Sequence, residues 1–348
     1  MLGVNWETHR AIIVGLSGLS LTPEEIAFLE EFNPFGFILF GRNCQTPDQL
    51  KELVDAIRRI PGQANAPILI DQEGGRVSRL KEPGWRHPPA ARLFGKLSEQ
   101  TLDLGLRAAY LNARIISSDL TKAGINVDCA PVLDVLTTGT HKIIGDRSYS
   151  FDANLVAKIG DSVCRGFMDG GIIPVIKHIP GHGRAAVDSH LELPKVAEKL
   201  KSLRDRDFIP FCGMSGGVWA MTAHILFEAI DAEFPVTHSK TIIRDIIRGE
   251  IGFSGLLVSD DIGMGALKGS LSERVLKAFD AGCDVVLHCS GDVSEMKEIA
   301  PVVPLLGSNA VDRIKRSFSA LSAGSDRENS FSITRADEEL KEILQELS

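Results

Sequence analysis

Eight short runs of apolar, largely β-branched residues recur along the chain, each followed by a longer polar or amphipathic stretch. They are AIIVG (11–15), GFILF (36–40), PILID (67–71), INVDCA (125–130), IPVIKH (173–178), VWAMTA (218–223), GLLVSD (255–260) and DVVLHC (284–289). A strand with one wet face alternates apolar and polar residues. These runs are continuously apolar, as parallel strands covered by helices are. Between them, PDQLKELVDAIRRI (47–60) places Pro47 in a first turn and repeats apolar residues at Leu50, Leu53, Val54 and Ile57, which is one face of a helix. Residues 98–122, 152–169, 201–214, 239–249 and 272–281 are patterned in the same way. Eight strands alternating with helices predict an α/β fold, a (β/α)8 TIM barrel. A doubly wound open sheet is the structural alternative.

The runs beginning at 67, 125, 173 and 218 are 58, 48 and 45 residues apart, whereas a βα unit takes only about 30. The surplus falls after strands three, four and five, in loops that a barrel gathers on its C-terminal face, where active sites are built. Past the eighth run, Val311, Ile314, Phe318 and Leu321 form one helical stripe and Leu340, Ile343, Leu344 and Leu347 another, with a polar loop, SAGSDRENS (322–330), between them. The expectation is one domain over residues 1–348, a barrel over about 10–305 with a C-terminal helical extension over about 306–348.

Composition narrows the class of function. With 38 Lys and Arg against 46 Asp and Glu the net charge is −8, which lacks the basic surface that nucleic acid requires. No stretch approaches the roughly 20 apolar residues of a membrane span. The run AIIVGLSGLSL (11–21) follows a flank carrying Glu7 rather than a basic one, so it does not read as a signal peptide, and residues 11–16 read as a first buried strand. The six cysteines (44, 129, 164, 212, 283, 289) form no C-x-x-C pair and read as reduced, mostly buried thiols of a cytoplasmic protein.

Polar residues stand at or near the ends of several runs, Asp71, Lys177, His178, His224, Asp260 and Asp261, and Asp128 lies inside the fourth. Buried charge is costly unless paired or used, so several such groups at one rim point to a polar ligand. The densest segment, KHIPGHGRAAVDSHLELP (177–194), holds His178, His182 and His190. Asp188 lies two residues from His190, close enough in a loop to orient the ring and raise its basicity. The histidine spacing fits no H-E-x-x-H zinc motif. In the SDD run, adjacent strand residues point to opposite faces, so only one of Asp260 and Asp261 is expected at the barrel mouth. DQEGGRVSRL (71–80) is not G-x-G-x-x-G and gives no dinucleotide site; its Arg76 and Arg79 could meet hydroxyls or carboxylates. Arg147 lies in GDRSYS (145–150).

Taken together, GFILFGRN (36–43), PILIDQEGGRVSRL (67–80), INVDCAPVLDV (125–135), GDRSYS (145–150), KHIPGHG with DSHLELP (177–194), MTAHI (221–225) and GLLVSDDIGMGAL (255–267) resemble the single-domain β-N-acetylglucosaminidases of glycoside hydrolase family 3, the bacterial NagZ type. The resemblance implies Asp260 as the nucleophile of a retaining hydrolase and His190 with Asp188 as its acid/base dyad. It implies that Asp71, Arg79, Arg147, Lys177 and His178 hold the sugar. It further implies an exo-acting enzyme without metal or cofactor, a cytoplasmic monomer removing N-acetylglucosamine from anhydromuramyl saccharides or peptides in cell-wall recycling. Larger members add a second domain that can supply a carboxylic acid/base; here the donor is expected from the barrel's own loops. Many members read KHFPGHGDT where this chain has KHIPGHGRA, and RSF where it has RSY; Arg184 is expected to bear on loop motion or leaving-group preference. The rival readings are a phosphorylase on the same scaffold, a metallohydrolase using His178, His182 and Asp260, and a non-catalytic glycan-binding protein.

Overall fold

The structure, a computed structural model, describes residues 4–138, 144–185, 187–214, 217–324 and 331–345. All eight apolar runs are strands: β1 (Arg10–Gly15), β2 (Pro34–Leu39), β3 (Ile68–Ile70), β4 (Val127–Asp128), β5 (Ile173–Ile179), β6 (Trp219–Thr222), β7 (Leu257–Asp261) and β8 (Val285–His288). They form a closed, wholly parallel barrel, sealed where Ile12 of β1 stands opposite Val286 of β8. Outside it, Lys195–Val196 pairs with Leu226–Phe227 and ties the loop after β5 to the loop after β6.

The helices follow local chemistry. In α1 (Pro23–Phe32), Thr22 Oγ1 accepts the Glu25 N–H at 3.1 Å and Glu25 Oε2 accepts the Thr22 N–H at 2.8 Å, a reciprocal cap. α2 (Pro47–Arg59) buries the expected face, Leu50, Leu53, Val54 and Ile57. The single helix expected over 98–122 is instead two, α3 (Ala91–Gln100) and α4 (Leu102–Ala123). Thr101, extended at φ −140°, turns the chain between them, so that Phe94 and Leu97 of α3 are buried in the same apolar layer as α4. α5 (Ala153–Asp169) is as expected. Over 201–214 there are only short helical turns, the last being Ile209–Phe211, where Pro210 has no N–H to continue a helix. α6 (Ile242–Glu250, wound as a π-helix), α7 (Leu271–Ala281), α8 (Val293–Ile299), α9 (Ser308–Gly324) and α10 (Ile333–Gln345) complete the order. α9 runs to Gly324, into the stretch expected as loop, and Leu347 lies outside the described residues.

Two apolar layers result. One fills the space between strands and helices, and α10 joins it through Leu340 and Ile343, with Arg107 of α4 paired to Glu339 at 2.7 Å. The other fills the barrel interior, with Ile13, Phe35, Val175, Trp219 and Val258 meeting Val311, Ile314 and Phe318 of α9. α9 therefore stoppers the barrel's N-terminal end. Phe318 stacks on Trp6 at 6.0 Å, and the Trp219 indole N–H donates to Ser317 Oγ at 3.0 Å. All six cysteines are free; Cys129, Cys164 and Cys283 are buried, while Cys212 is exposed.

Candidate active site

With the N-terminal end filled, the barrel interior opens toward the C-terminal rim. A cavity of about 300 Å³ opens there, lined among others by Asp71, Glu73, Arg79, Arg147, Lys177, His178, His182, His190, Asp260 and Asp261. The loop after β3 reaches it through a tight turn, in which Glu73 and Gly74 N–H both donate to the Val77 carbonyl, at 3.0 and 3.2 Å. Gly74 has φ +100°, and a Cβ there would lie 2.2 Å from the Pro89 oxygen, so no other residue fits.

One wall is a chain of alternating charges. Asp71 takes Arg79 Nη2 at 2.9 Å on one oxygen and Lys177 Nζ at 2.8 Å on the other. Lys177 Nζ also reaches Glu73 Oε1 at 2.6 Å. Arg147 grips Glu73 with two bonds of 2.8 Å, the fork geometry that suits guanidinium and carboxylate. Burial would raise the Glu73 carboxyl, yet Arg147 and Lys177 hold it down to about 2. Asp71 is depressed likewise, and the Lys177 ammonium is raised well above its ordinary value by Asp71 and Glu73 against the pull of burial. All five groups stay charged at neutral pH. Arg79 also lies over the Phe40 ring at 5.3 Å. Asp71, Arg79, Arg147 and Lys177 were evident in the sequence; Glu73, which links two of them, was missed.

His178 adjoins Lys177 across a cis peptide bond, and both line the cavity. Behind His178 stands a second missed residue, Asp134, fully buried. Its Oδ2 lies 2.7 Å from His178 Nδ1, and its Oδ1 accepts the backbone N–H of His178 at 3.2 Å and of His182 at 2.6 Å. Asp134 thus orients the His178 ring and pins the start of the long loop. His182 is buried, and neither ring nitrogen has a partner among the described residues. Burial and the neighbouring His178 lower it to about 4, so its ring is neutral. Among the described residues no three His, Cys, Asp or Glu side chains are grouped to hold a metal.

The SDD run departs from strict strand parity, because β7 ends there and turns into a loop. Both Asp260 and Asp261 line the cavity. Asp261 is committed to backbone, its Oδ1 accepting the N–H of Gly263 at 3.0 Å and of Cys289 at 3.1 Å. Asp260 Oδ1 accepts the Asp261 N–H at 2.8 Å. Burial would raise the Asp260 carboxyl, but His224, His178, that N–H and Lys177 keep it below its ordinary value, as an anion. His224 stays outside the cavity and braces its floor, with Nδ1 2.7 Å from Thr237 Oγ1 and Nε2 2.9 Å from the Asp261 carbonyl oxygen. At the rim, His190 Nδ1 lies 2.8 Å from Asp188 Oδ1, the pairing expected from their spacing. Arg184 points away from the cavity, to Asp207 at 2.7 Å and Glu198 at 3.3 Å; it anchors the loop rather than meeting a ligand.

Asp128 is also not in the cavity. It is buried beneath the β3 loop, where its Oδ1 accepts the Gln72 N–H at 3.0 Å and its Oδ2 has no partner among the described residues. Burial pushes this carboxyl up to about 8, so it is held protonated. A folded value above the unfolded one makes a contribution that is fully present below pH 3.8 and is lost as pH rises through about 8. Asp128→Asn keeps the acceptor and carries no titrating proton. Its melting temperature is expected to gain on the parent steadily between pH 4 and pH 8, by several degrees in all, since a tenfold change in a group's proton affinity on folding is worth about 1.4 kcal/mol. A difference independent of pH would show that Asp128 is ionised in the fold.

Residues 20–319 match the model of the glycosyl hydrolase family 3 N-terminal domain. The β-hexosaminidase of Alkalilimnicola ehrlichii is 38% identical over 285 residues, covering 80% of each chain. NagZ from Neisseria gonorrhoeae in complex with N-trifluoroacetyl-D-glucosamine superposes with a TM-score of 0.84 at 29% identity, over 97% of this chain and 98% of that one. A family 3 β-N-acetylglucosaminidase from Paenibacillus gives 0.81 at 29% identity, over 99% of this chain and 68% of that one. Among the described residues no helix is long and apolar enough to cross a membrane. The barrel, the charged cavity at its C-terminal rim and these likenesses agree: the chain belongs to glycosyl hydrolase family 3.

Proposed function

We propose that the protein is an exo-acting, retaining β-N-acetylglucosaminidase that works by double displacement. The observation that carries this reading is the pairing, at one cavity, of an anionic Asp260 with a rim histidine bonded to Asp188. Asp260 attacks the anomeric carbon while protonated His190 delivers a proton to the departing oxygen. Water then attacks the glycosyl-enzyme, and His190 takes its proton. Most retaining glycosidases use a second carboxylate as the acid. Here Asp188 orients the imidazole. Asp71, Arg79, Arg147, Lys177 and His178 hold the sugar hydroxyls; their contribution is orientation. The amino-sugar preference rests on the named activities of the relatives. The substrate proposed is an N-acetylglucosaminyl-anhydromuramyl saccharide or peptide, cleaved in the cytoplasm by a monomer acting in cell-wall recycling.

Aryl β-N-acetylglucosaminides with graded leaving groups test the reading. The enzyme is expected to hydrolyse them with retention and to prefer them strongly over the matching aryl glucosides. His190→Ala is expected to lower kcat/KM by about 10²–10⁴-fold for a poor leaving group and only slightly for an activated phenol, which departs without a proton. Equal loss across the series would remove His190 from the acid role.

A further inference from the structure

The bond between Asp188 and His190 joins two residues of one loop, so it aims the ring within the loop without placing the loop over Asp260. The His190 side chain is itself 62% exposed. Beside the histidine, two backbone groups reach the loop from outside. Gly265 N–H donates to the His190 carbonyl at 3.1 Å, and Ala266 N–H donates to the Ser189 carbonyl at 3.3 Å. Both donors lie in the short segment that directly follows β7 and Asp260.

That segment is firmly built. Asp261 accepts the Gly263 N–H at 3.0 Å through its carboxylate and the Met264 N–H at 3.1 Å through its carbonyl. Arg274 Nη1 donates to the carbonyls of Ile262 at 2.9 Å and Met264 at 3.2 Å. The approach of the two loops leaves no room at Gly265, where a Cβ would stand 2.7 Å from the Leu191 oxygen and 2.9 Å from the His190 oxygen. These are backbone atoms and cannot rotate aside.

From these contacts we infer that Gly265 and Ala266 form a backbone seat that fixes the acid/base loop against the nucleophile strand, with Gly265 a positioning residue for proton transfer. This rests on the reading of His190 as the acid/base. Asp260 and the groove for His190 then belong to one rigid segment, and a methyl group at 265 lifts the histidine while leaving Asp260 and the sugar-binding wall untouched. Misplacing a catalytic group by about 1 Å costs on the order of 10²-fold.

The test is Gly265→Ala, assayed with the graded aryl N-acetylglucosaminides, alone and combined with His190→Ala. Titration with a slow fluorinated N-acetylglucosaminyl substrate counts the competent sites, so a partly misfolded sample does not distort the rates. Per competent site, Gly265→Ala is expected to lower kcat/KM at least about tenfold more for the poor leaving group than for the activated one. On the His190→Ala background it is expected to cost less than about twofold, because the group it positions is gone. Equal loss for both leaving groups, no loss, or the same loss on both backgrounds overturns the seat. If His190→Ala lacks the leaving-group dependence, the acid assignment fails and the seat's role in proton transfer falls with it. If His190→Ala shows the dependence and Gly265→Ala does not, the seat alone fails.

Discussion

Asp260→Asn is expected to lower turnover of an aryl β-N-acetylglucosaminide by on the order of 10⁴–10⁶-fold, the usual scale for removing a covalent nucleophile. The side chains have the same shape, and the amide oxygen can still accept the Asp261 N–H that Asp260 now takes at 2.8 Å. The loss is therefore one of charge and nucleophilicity, and melting temperature should change little. A slow fluorinated sugar should add one glycosyl mass to the peptide containing Asp260 in the parent and none in the variant. Asp261 is the natural competitor, being adjacent and also at the cavity. Its carboxylate, however, already holds the Gly263 and Cys289 N–H groups. A label on Asp261, or inversion without a label, would overturn the assignment.

The second large effect concerns Lys177, whose side chain is 3% exposed and whose ammonium lies 2.8 Å from Asp71 and 2.6 Å from Glu73. Lys177→Met leaves two buried carboxylates without their shared cation. Breaking a buried ion pair from one side costs about 3–5 kcal/mol, so melting should fall by on the order of 10 °C, and sugar affinity should fall with it. The pH dependence identifies the cause. In the parent, Asp71 and Glu73 sit below their ordinary values, so their contribution is present at neutral pH and lost as pH falls. In Lys177→Met both carboxyls rise, and acid relieves their stranded charge by protonation. The stability gap between variant and parent should narrow from pH 7 to pH 4; a constant gap would mean that the loss is one of packing alone. Adding Glu73→Gln to Lys177→Met should recover part of the stability and none of the sugar affinity.

The barrel was legible because each strand is covered on both sides and so reads as an unbroken apolar run. Helices with one dominant apolar face, such as α2, were legible for a related reason. The turn at Thr101 was not, because the helical pattern continues across it and only packing against α4 shows that the chain folds back. At the site, Asp71, Lys177, Asp188, His190 and Asp260 stood out as polar residues at strand ends or in one dense segment. Glu73 and Asp134 did not, because their partners are far along the chain: Arg147 lies 74 positions from Glu73, and His178 lies 44 from Asp134. Asp134 did leave a trace, a single carboxylate within the apolar APVLDV, and a buried charge there demands a partner. Which partner is a matter of topology. Strict parity fails at SDD for a local reason, since Asp261 is the last residue of β7 and the chain turns away directly after it.

The stopper formed by α9, Trp6 and Trp219 closes the barrel's N-terminal end, so among the described residues the cavity faces the C-terminal rim. On the double displacement we propose, ligands that share that rim must pass it in sequence. The aglycone has to leave by the way it entered before water can reach the glycosyl-enzyme, and the freed monosaccharide leaves last by the same route. On that proposal, product monosaccharide and incoming substrate contend for the same rim.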